Sequence, residues 1–362
     1  MLRVLAALCL IASAATAQQP PAATITLPPT DKTLGEALAS IQAQSGLTLT
    51  TTLDLKSKLR LERSAGALWP LLTEVATASG GRLTVSQKGR AVTIAPVVET
   101  GTEPEAEPRL LPSIDGAFRV VAKQVTSRRD LDTGLSVTDV TLDIHWDPRL
   151  PVFRIDSEPS GAVSFERKRE QFPYNQLTPS AGKSAVSGSA FTSVRRLPAI
   201  PRSAAAKGVA DQIHPIDSFS LAGQFAVTAA AKMLQFRVAD TTKPTTLTQE
   251  GVTFTLQTPR KVGDRWDVPI ELVYPPSKVE FESFEAGVWL SSNKLQLIDP
   301  AGKPFDPMNE DFRAAAGKSS LVYRFPAAQV PADRAGWSLV YETPSPLVEF
   351  DVAFTLSNIP LP

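Results

Sequence analysis

Apolar side chains alternate with other residues near the end of the chain, and this pattern limits the possible folds most strongly. Successive side chains of a β-strand point to opposite faces, so a two-residue period predicts a strand with one buried face. The same period occurs in residues 140–146, 252–256 and 266–272. In its clearest form it comprises Val348, Phe350, Val352, Phe354 and Leu356.

The region 110–362 shows almost no helical periodicity, and its predicted strands are separated by turns that contain proline or glycine. Such a succession of strands is typical of β-sandwich packing. We therefore expect a mainly β chain. It would have one or two β-sandwich-like domains in this region and a small α+β domain before it.

The segment 158–216 departs from this pattern. It is rich in serine, alanine, glycine and proline, and its basic residues outnumber its acidic ones. A long segment without regular periodicity is typically a functional loop or disordered. We expect a mobile insertion or, alternatively, a basic surface for an anionic envelope component. On the second interpretation Arg195 and Arg196 are candidate interaction residues.

The amino end has the pattern of a cleavable export signal over residues 1–17. Arg3 precedes an apolar run, and Ala15 and Ala17 are the small residues that a signal peptidase requires. The run is shorter than the roughly 20 residues that span a bilayer, and we expect no transmembrane segment in the mature chain. Cleavage would remove Cys9, the only cysteine, so the mature chain would have no disulfide. We expect it in the periplasm or cell envelope, either free or associated with the outer membrane.

Residues 22–97 alternate short apolar runs with helical periods and predict a small module. Thr33 and Glu36 have the spacing of a capping box at the start of a helix, and Gly46 suits its end. An acidic, proline-containing linker follows at 98–109. The predicted elements are strands at 23–27, 47–51 and 59–61, helices at 34–45 and 68–79, and a hairpin of strands 82–87 and 91–95.

Several short motifs of this module are typical of one family. They are Thr33-Leu34-Gly35-Glu36-Ala37-Leu38, Gln44-Ser45-Gly46-Leu47, Leu68-Trp69-Pro70-Leu71-Leu72, Ser79-Gly80-Gly81-Arg82-Leu83 and Val92-Thr93-Ile94. With them, residues 22–97 resemble the secretin and TonB short N-terminal domain, a βαββαβ module of bacterial envelope proteins. The resemblance implies a protein-interaction module. The residues downstream do not resemble the pores or receptors of relatives, so only the envelope location and the docking role are carried over.

The β-rich remainder has a resemblance of its own. Its motifs are Phe118-Arg119-Val120-Val121, Arg128-Arg129-Asp130-Leu131-Asp132 and Trp146-Asp147-Pro148-Arg149-Leu150. They are similar to exported bacterial proteins, uncharacterised in function, that join such β domains to the short N-terminal module. This resemblance implies a fold and supplies no activity.

Two strands of the module are candidate docking sites. A partner could add a strand to a sheet edge at residues 47–51 or at residues 91–95. The candidate interaction residues in the first of these strands are Leu47, Thr48, Leu49 and Thr50.

The sequence offers no recognisable catalytic, cofactor-binding or metal-binding constellation. Its two histidines, His145 and His214, have no metal-ligand spacing, and the Gly-x-Ser-x-Gly turn of serine hydrolases is absent. The 37 basic and 37 acidic residues balance, which argues against nucleic acid as the main partner. We therefore expect a non-enzymatic envelope protein. Its module would dock on an envelope protein or anionic envelope component, and its β region would be a scaffold or second binding surface.

Two other functions are also compatible with the sequence. A carbohydrate-binding or carbohydrate-active protein would use exposed tryptophans, for which Trp289 and Trp337 are candidates, or a pair of carboxylates. The densest group of acids is Asp299, Asp306, Glu310 and Asp311. A structural component of a surface layer is the second alternative.

Overall fold

The computed structural model of the 362-residue chain is mainly β, with two α-helices among the residues that it describes. This confirms the predicted fold class. The described residues are 19–28, 32–86, 88–97, 111–129, 131–132, 136–157, 159–167, 170–177, 182–186, 188–197, 218–275, 290, 292–315, 317–331 and 334–361. The predicted export signal, the predicted linker, His214 and Trp289 lie outside these residues.

The N-terminal module contains both helices and three small sheets. Its elements are β1 (Thr24–Thr26), β2 (Lys32–Thr33), α1 (Leu34–Ser45), β3 (Thr48–Thr51), β4 (Lys58–Leu59), β5 (Ala65–Ala67), α2 (Leu68–Ala78), β6 (Gly81–Val85) and β7 (Ala91–Pro96). Strand β1 pairs with β5 and β2 pairs with β4. The third sheet has the order β3-β7-β6, with β3 parallel to β7 and β6 antiparallel to it. The apolar faces of both helices pack against this sheet in one hydrophobic core.

Local interactions set the ends of α1. The Thr33 hydroxyl accepts a hydrogen bond from the Glu36 amide at 3.3 Å, and the Glu36 carboxylate accepts one from the Thr33 amide at 3.0 Å. Gly46 ends the helix in the left-handed conformation, with φ 71°. Pro70 is tolerated in α2 because the first turn of a helix needs no internal amide donors. Trp69, the second residue of α2, precedes this proline.

The first β unit packs two sheets around one core. Its strands are β8 (Ser113–Asp115), β9 (Phe118–Arg129), β10 (Ser136–Trp146), β11 (Val152–Asp156), β12 (Ser160–Arg167), β13 (Glu170–Leu177), β14 (Lys183–Ala185), β15 (Ala190–Arg196), β16 (Ser218–Ala230) and β27 (Leu347–Pro360). One sheet has the order β15-β10-β9-β8, and the other has the order β13-β12-β16-β11-β14 with β27 paired to β16. Phe118 of the first sheet contacts Phe225 and Phe350 of the second, with ring centroids 6.2 and 6.0 Å away.

The second β unit has a separate core and lies between β16 and β27 in the sequence. Its strands are β17 (Met233–Val238), β18 (Thr245–Gln249), β19 (Val252–Leu256), β20 (Arg260–Val262), β21 (Arg265–Val273), β22 (Lys294–Ile298), β23 (Pro304–Phe305), β24 (Asn309–Ala315), β25 (Lys318–Pro326) and β26 (Ser338–Pro344). Its sheets have the orders β17-β26-β22-β23 and β18-β19-β21-β25-β24. The unit is thus an insertion in the first β unit, whose sheet is completed by the last strand of the chain.

The described part of the segment 158–216 contains β12, β13, β14 and β15, so it has regular structure where the sequence pattern predicted none. The small residues there permit close strand pairing. Gly161 of β12 lies opposite Gly223 of β16, and a Cβ atom on Gly161 would be 2.2 Å from the Ala222 carbonyl oxygen. At this position glycine therefore permits the close approach of two strands.

Candidate interaction surfaces

Strand β3 forms one edge of the three-stranded sheet of the module, and no described strand pairs with its outer side. In a parallel pair, main-chain groups of alternate residues point towards the neighbouring strand. The Thr48 amide donates to the Arg90 carbonyl at 2.9 Å, so Thr48 and Thr50 bond towards β7. The main-chain groups of Leu49 and Thr51 therefore face outwards.

One of these outward amides already donates a hydrogen bond to a side chain of the module. The Leu49 amide donates to Oε1 of Gln42, in the neighbouring helix α1, at 3.0 Å. Gln42 is exposed, so a partner strand could displace its side chain. The Thr51 hydroxyl donates to the Ile94 carbonyl at 2.7 Å and accepts from the Leu53 amide at 3.0 Å. The Thr51 side chain therefore ties the end of β3 to β7. Among the described residues, no side chain accepts a hydrogen bond from the outward amide of Thr51.

The predicted interaction residues of this strand differ in exposure. Leu47 is only 1% exposed and anchors the strand in the core, and Leu49 is half-buried. Thr48 and Thr50 are exposed. The second predicted docking strand, residues 91–95, is wrong as an edge, because β7 is paired on both sides. Sequence periodicity reports the buried face of a strand and carries no information on the order of strands in a sheet.

The module contacts the first β unit through Trp69. This side chain is fully buried, and its ring centroid lies 6.0 Å from that of His145. The guanidinium of Arg119 lies 6.0 Å from the centroid of the same ring, at the limit of a cation–π contact. Arg119 and His145 are opposite each other on β9 and β10. The face of β10 that carries His145 is thus covered by the module, and His145 is 3% exposed.

Main-chain contacts attach the module at two further places. The turn between β6 and β7 meets the first β unit where the Ser189 amide donates to the Lys88 carbonyl at 3.3 Å. Gly89 is buried there, and a Cβ atom on it would be 2.4 Å from the Ser189 carbonyl oxygen. The Arg149 guanidinium also donates to the Ala23 carbonyl at 2.7 Å. Three separate contacts therefore hold the module against the first β unit.

The interface encloses a buried guanidinium group beside a buried imidazole. Burial, followed by the nearby charge of Arg119, lowers the pKa of His145 to about 4, although Asp143 partly opposes this. Burial, followed by the charge of Arg82, lowers the pKa of Arg119 to about 10. At neutral pH the imidazole is therefore uncharged and the guanidinium charged. The Asp143 carboxylate forms an ion pair with Lys123 at 2.9 Å and accepts a hydrogen bond from the Thr192 hydroxyl at 2.7 Å.

The structure separates the two predicted basic residues. Arg195 lies opposite Val140, which faces the core, and is 5% exposed. Its proposed place on a basic surface is therefore wrong, because the two-residue alternation of β15 turns it inwards. Arg196 points the other way, is exposed, and its Nε lies 3.2 Å from an Asp139 carboxylate oxygen.

Of the tryptophan and carboxylate candidates, Trp337 is buried, while Glu310 and Asp311 line one open cavity on the second β unit. Trp337 is 6% exposed and packs on Phe305 with ring centroids 5.3 Å apart, so it belongs to the core of the second β unit. Burial raises the pKa of Glu310, which faces Tyr323. The other acids have local partners: Asp299 accepts from the amides of Ala301 and Lys303, Asp306 accepts from Gln296, and Asp311 pairs with Arg324.

Comparison with known proteins gives no family for the chain: no family model matches it, and neither does any curated protein. In the described part of the chain, no helix combines the length and apolar character needed to cross a membrane.

Proposed function

We propose that this chain is a non-enzymatic protein of the bacterial cell envelope, exported with loss of residues 1–17. Its N-terminal module docks on an envelope protein through the open edge of β3. The two β units are the scaffold that holds the module in place. The observation that carries the proposal is the position of β3 as the outer strand of a sheet with outward main-chain groups. Such an edge binds an extended segment of a partner by adding a strand.

The orientation of the module supports this proposal. The opposite edge of the sheet is β6, whose Arg82 is close enough to Arg119 to lower its pKa. The turn that follows β6 contacts Ser189 of the first β unit. The β6 side of the module is therefore the attached side, and no strand of the described part of the chain covers the β3 side.

The chemistry of the edge also suits a specific partner. Exposed threonines keep a strand soluble, and Thr50 and Thr93 bond to each other through their hydroxyls at 2.8 Å. Strand β3 has only four residues. Short edge strands resist indiscriminate pairing with other chains. Selective binding would therefore need side-chain contacts from the partner as well as main-chain hydrogen bonds.

Replacing Thr51 with proline tests this role. Thr51→Pro removes the outward amide and leaves the bonds from Thr48 and Thr50 to β7 in place. We expect partners that the wild-type chain recovers from envelope extract to be reduced about tenfold, the loss that corresponds to roughly 1.4 kcal/mol. Quantitative mass spectrometry of the recovered proteins measures the change, and circular dichroism checks that both variants fold.

The matched control is Thr51→Val. This variant keeps the amide but loses both hydrogen bonds of the Thr51 hydroxyl, and we expect it to recover the same partners as the wild type. Unchanged recovery with Thr51→Pro would refute docking through β3. Equal losses with proline and valine would also contradict it, because the hydroxyl would then explain the effect.

A further inference from the structure

A second open strand edge lies on the first β unit. Strand β9 has 12 residues, but β8 pairs only with Phe118, Arg119 and Val120 at its beginning. Beyond these residues no described strand pairs with β9 on the side opposite β10. Edges of this length are normally shortened, covered or otherwise protected. The open part of β9 is therefore a place where another strand can add.

Strand β8 shows how a segment can occupy this side of the unit. It pairs with β9 of one sheet, while its side chains accept hydrogen bonds from β27 of the other. The Asp115 carboxylate accepts from the Ala353 amide at 3.0 Å, and the Ser113 hydroxyl accepts from the Thr355 amide at 2.9 Å. A segment that continues the line of β8 along β9 would thus lie between the two sheet edges.

An apolar groove of about 240 Å³ is present at that position. Ala122 and Val125 of β9 form one wall, and both pack against the core of the unit. Ile359 and Leu361, at the end of the chain, belong to the other wall. Side chains of a strand alternate between its two faces. Alternate residues of an added strand would therefore enter this groove if they were apolar.

The charges around the groove favour an acidic segment. The open part of β9 carries Lys123, Arg128 and Arg129 and no acidic residue, and residues 352–361 on the other wall carry no charge. Lys123 and Arg128 pair with Asp143 and Asp139 of β10, whereas Arg129 is exposed. Pairing of β9 with β9 of a second copy would bring these cations together and is disfavoured.

We propose that the open edge of β9 binds an extended peptide segment in which apolar residues alternate with acidic ones. The apolar residues fill the groove, and the acidic residues lie beside the cations of β9. This site is on the β scaffold and goes beyond the proposed docking through β3. The Thr51→Pro variant should therefore bind the same peptide as tightly as the wild type.

Fluorescence anisotropy with the full chain tests the proposal. The probe is a labelled eight-residue peptide of alternating valine and glutamate, and the comparison peptide has lysine in place of glutamate. We expect saturable binding of the acidic peptide and at least tenfold weaker binding of the basic one. A third peptide with every second amide N-methylated should also bind at least tenfold more weakly, because it lacks the main-chain donors.

Two substitutions locate the binding. Arg128→Glu, on the face of β9 opposite the groove, should weaken binding of the acidic peptide about fivefold, the upper range for an exposed ion pair. Leu361→Glu should weaken binding of the acidic peptide further, because the substitution places a negative charge in the groove. Arg260→Glu, an exposed charge reversal on the second β unit, is the control and should have no effect. Absence of binding, or equal binding by the acidic, basic and N-methylated peptides, would overturn the proposal.

Discussion

A Gly89→Ala substitution is expected to detach the N-terminal module from the first β unit. Alanine at φ 68° costs about 1 kcal/mol, and its Cβ atom would lie 2.4 Å from a main-chain oxygen of Ser189 that cannot rotate away. Overpacking of this kind adds about 1–3 kcal/mol. Separation would expose Trp69, so acrylamide quenching of tryptophan fluorescence should increase. Denaturant unfolding should show the loss of stability.

Gly80→Ala is the control for this experiment. Gly80 has φ 71°, but a Cβ atom on it would meet nothing within 4 Å. The control therefore carries the conformational cost without the steric clash, and its tryptophan quenching should equal that of the wild type. Equal quenching and equal stability of the two variants would contradict the main-chain contact at Gly89.

Acid is expected to destabilise the chain through His145. Its folded-state pKa is about 4, compared with an ordinary value of 6.5, so between these values the unfolded chain binds the proton and the folded chain does not. The free energy of unfolding should fall as the pH falls through this window, by up to about 3 kcal/mol, and this contribution should level off below pH 4. The charged groups beside the imidazole, Arg119, Lys123 and Asp143, do not remove this cost.

The matching variant is His145→Gln, which cannot titrate. Urea unfolding of the wild type and the variant should be measured from pH 7.5 to pH 4. The difference between their free energies of unfolding isolates His145 from the other titrating groups, and it should change by about 3 kcal/mol over this range. Parallel pH profiles for the two proteins would show that His145 is not buried at the interface.

Local structure followed well from the sequence. The capping box of Thr33 and Glu36 marks the start of α1, and Gly46 marks its end. The alternation from Val348 to Leu356 falls within β27, where buried and exposed positions alternate from Phe350 to Leu356. Both signals depend on neighbours in the sequence, so a short window contains the relevant physical information.

Long-range arrangement did not follow from the sequence. The polar face that carries His145 is covered by Trp69, from a helix 76 positions earlier in the chain. Strand β7 is central because β3 and β6 both pair with it. A periodic pattern identifies which face of a strand is polar or apolar, but it does not show which other segment covers that face or pairs with that edge. The interface residues Arg119 and His145 were therefore missed.

The position of the module on the first β unit leaves the β3 edge outward, and a cysteine pair tests this position directly. The chain has one cysteine, Cys9, within the predicted export signal, so a Lys88→Cys/Ser189→Cys variant with Cys9 replaced by alanine contains a single pair. The Ser189 amide donates to the Lys88 carbonyl at 3.3 Å, so the main chains of these two residues are in contact. We predict that a short bifunctional thiol reagent joins the two cysteines within one chain in nearly all molecules, as resolved by electrophoresis and peptide mapping. Two unlinked thiols in the folded chain, with linkage appearing only between different molecules, would contradict this position of the module.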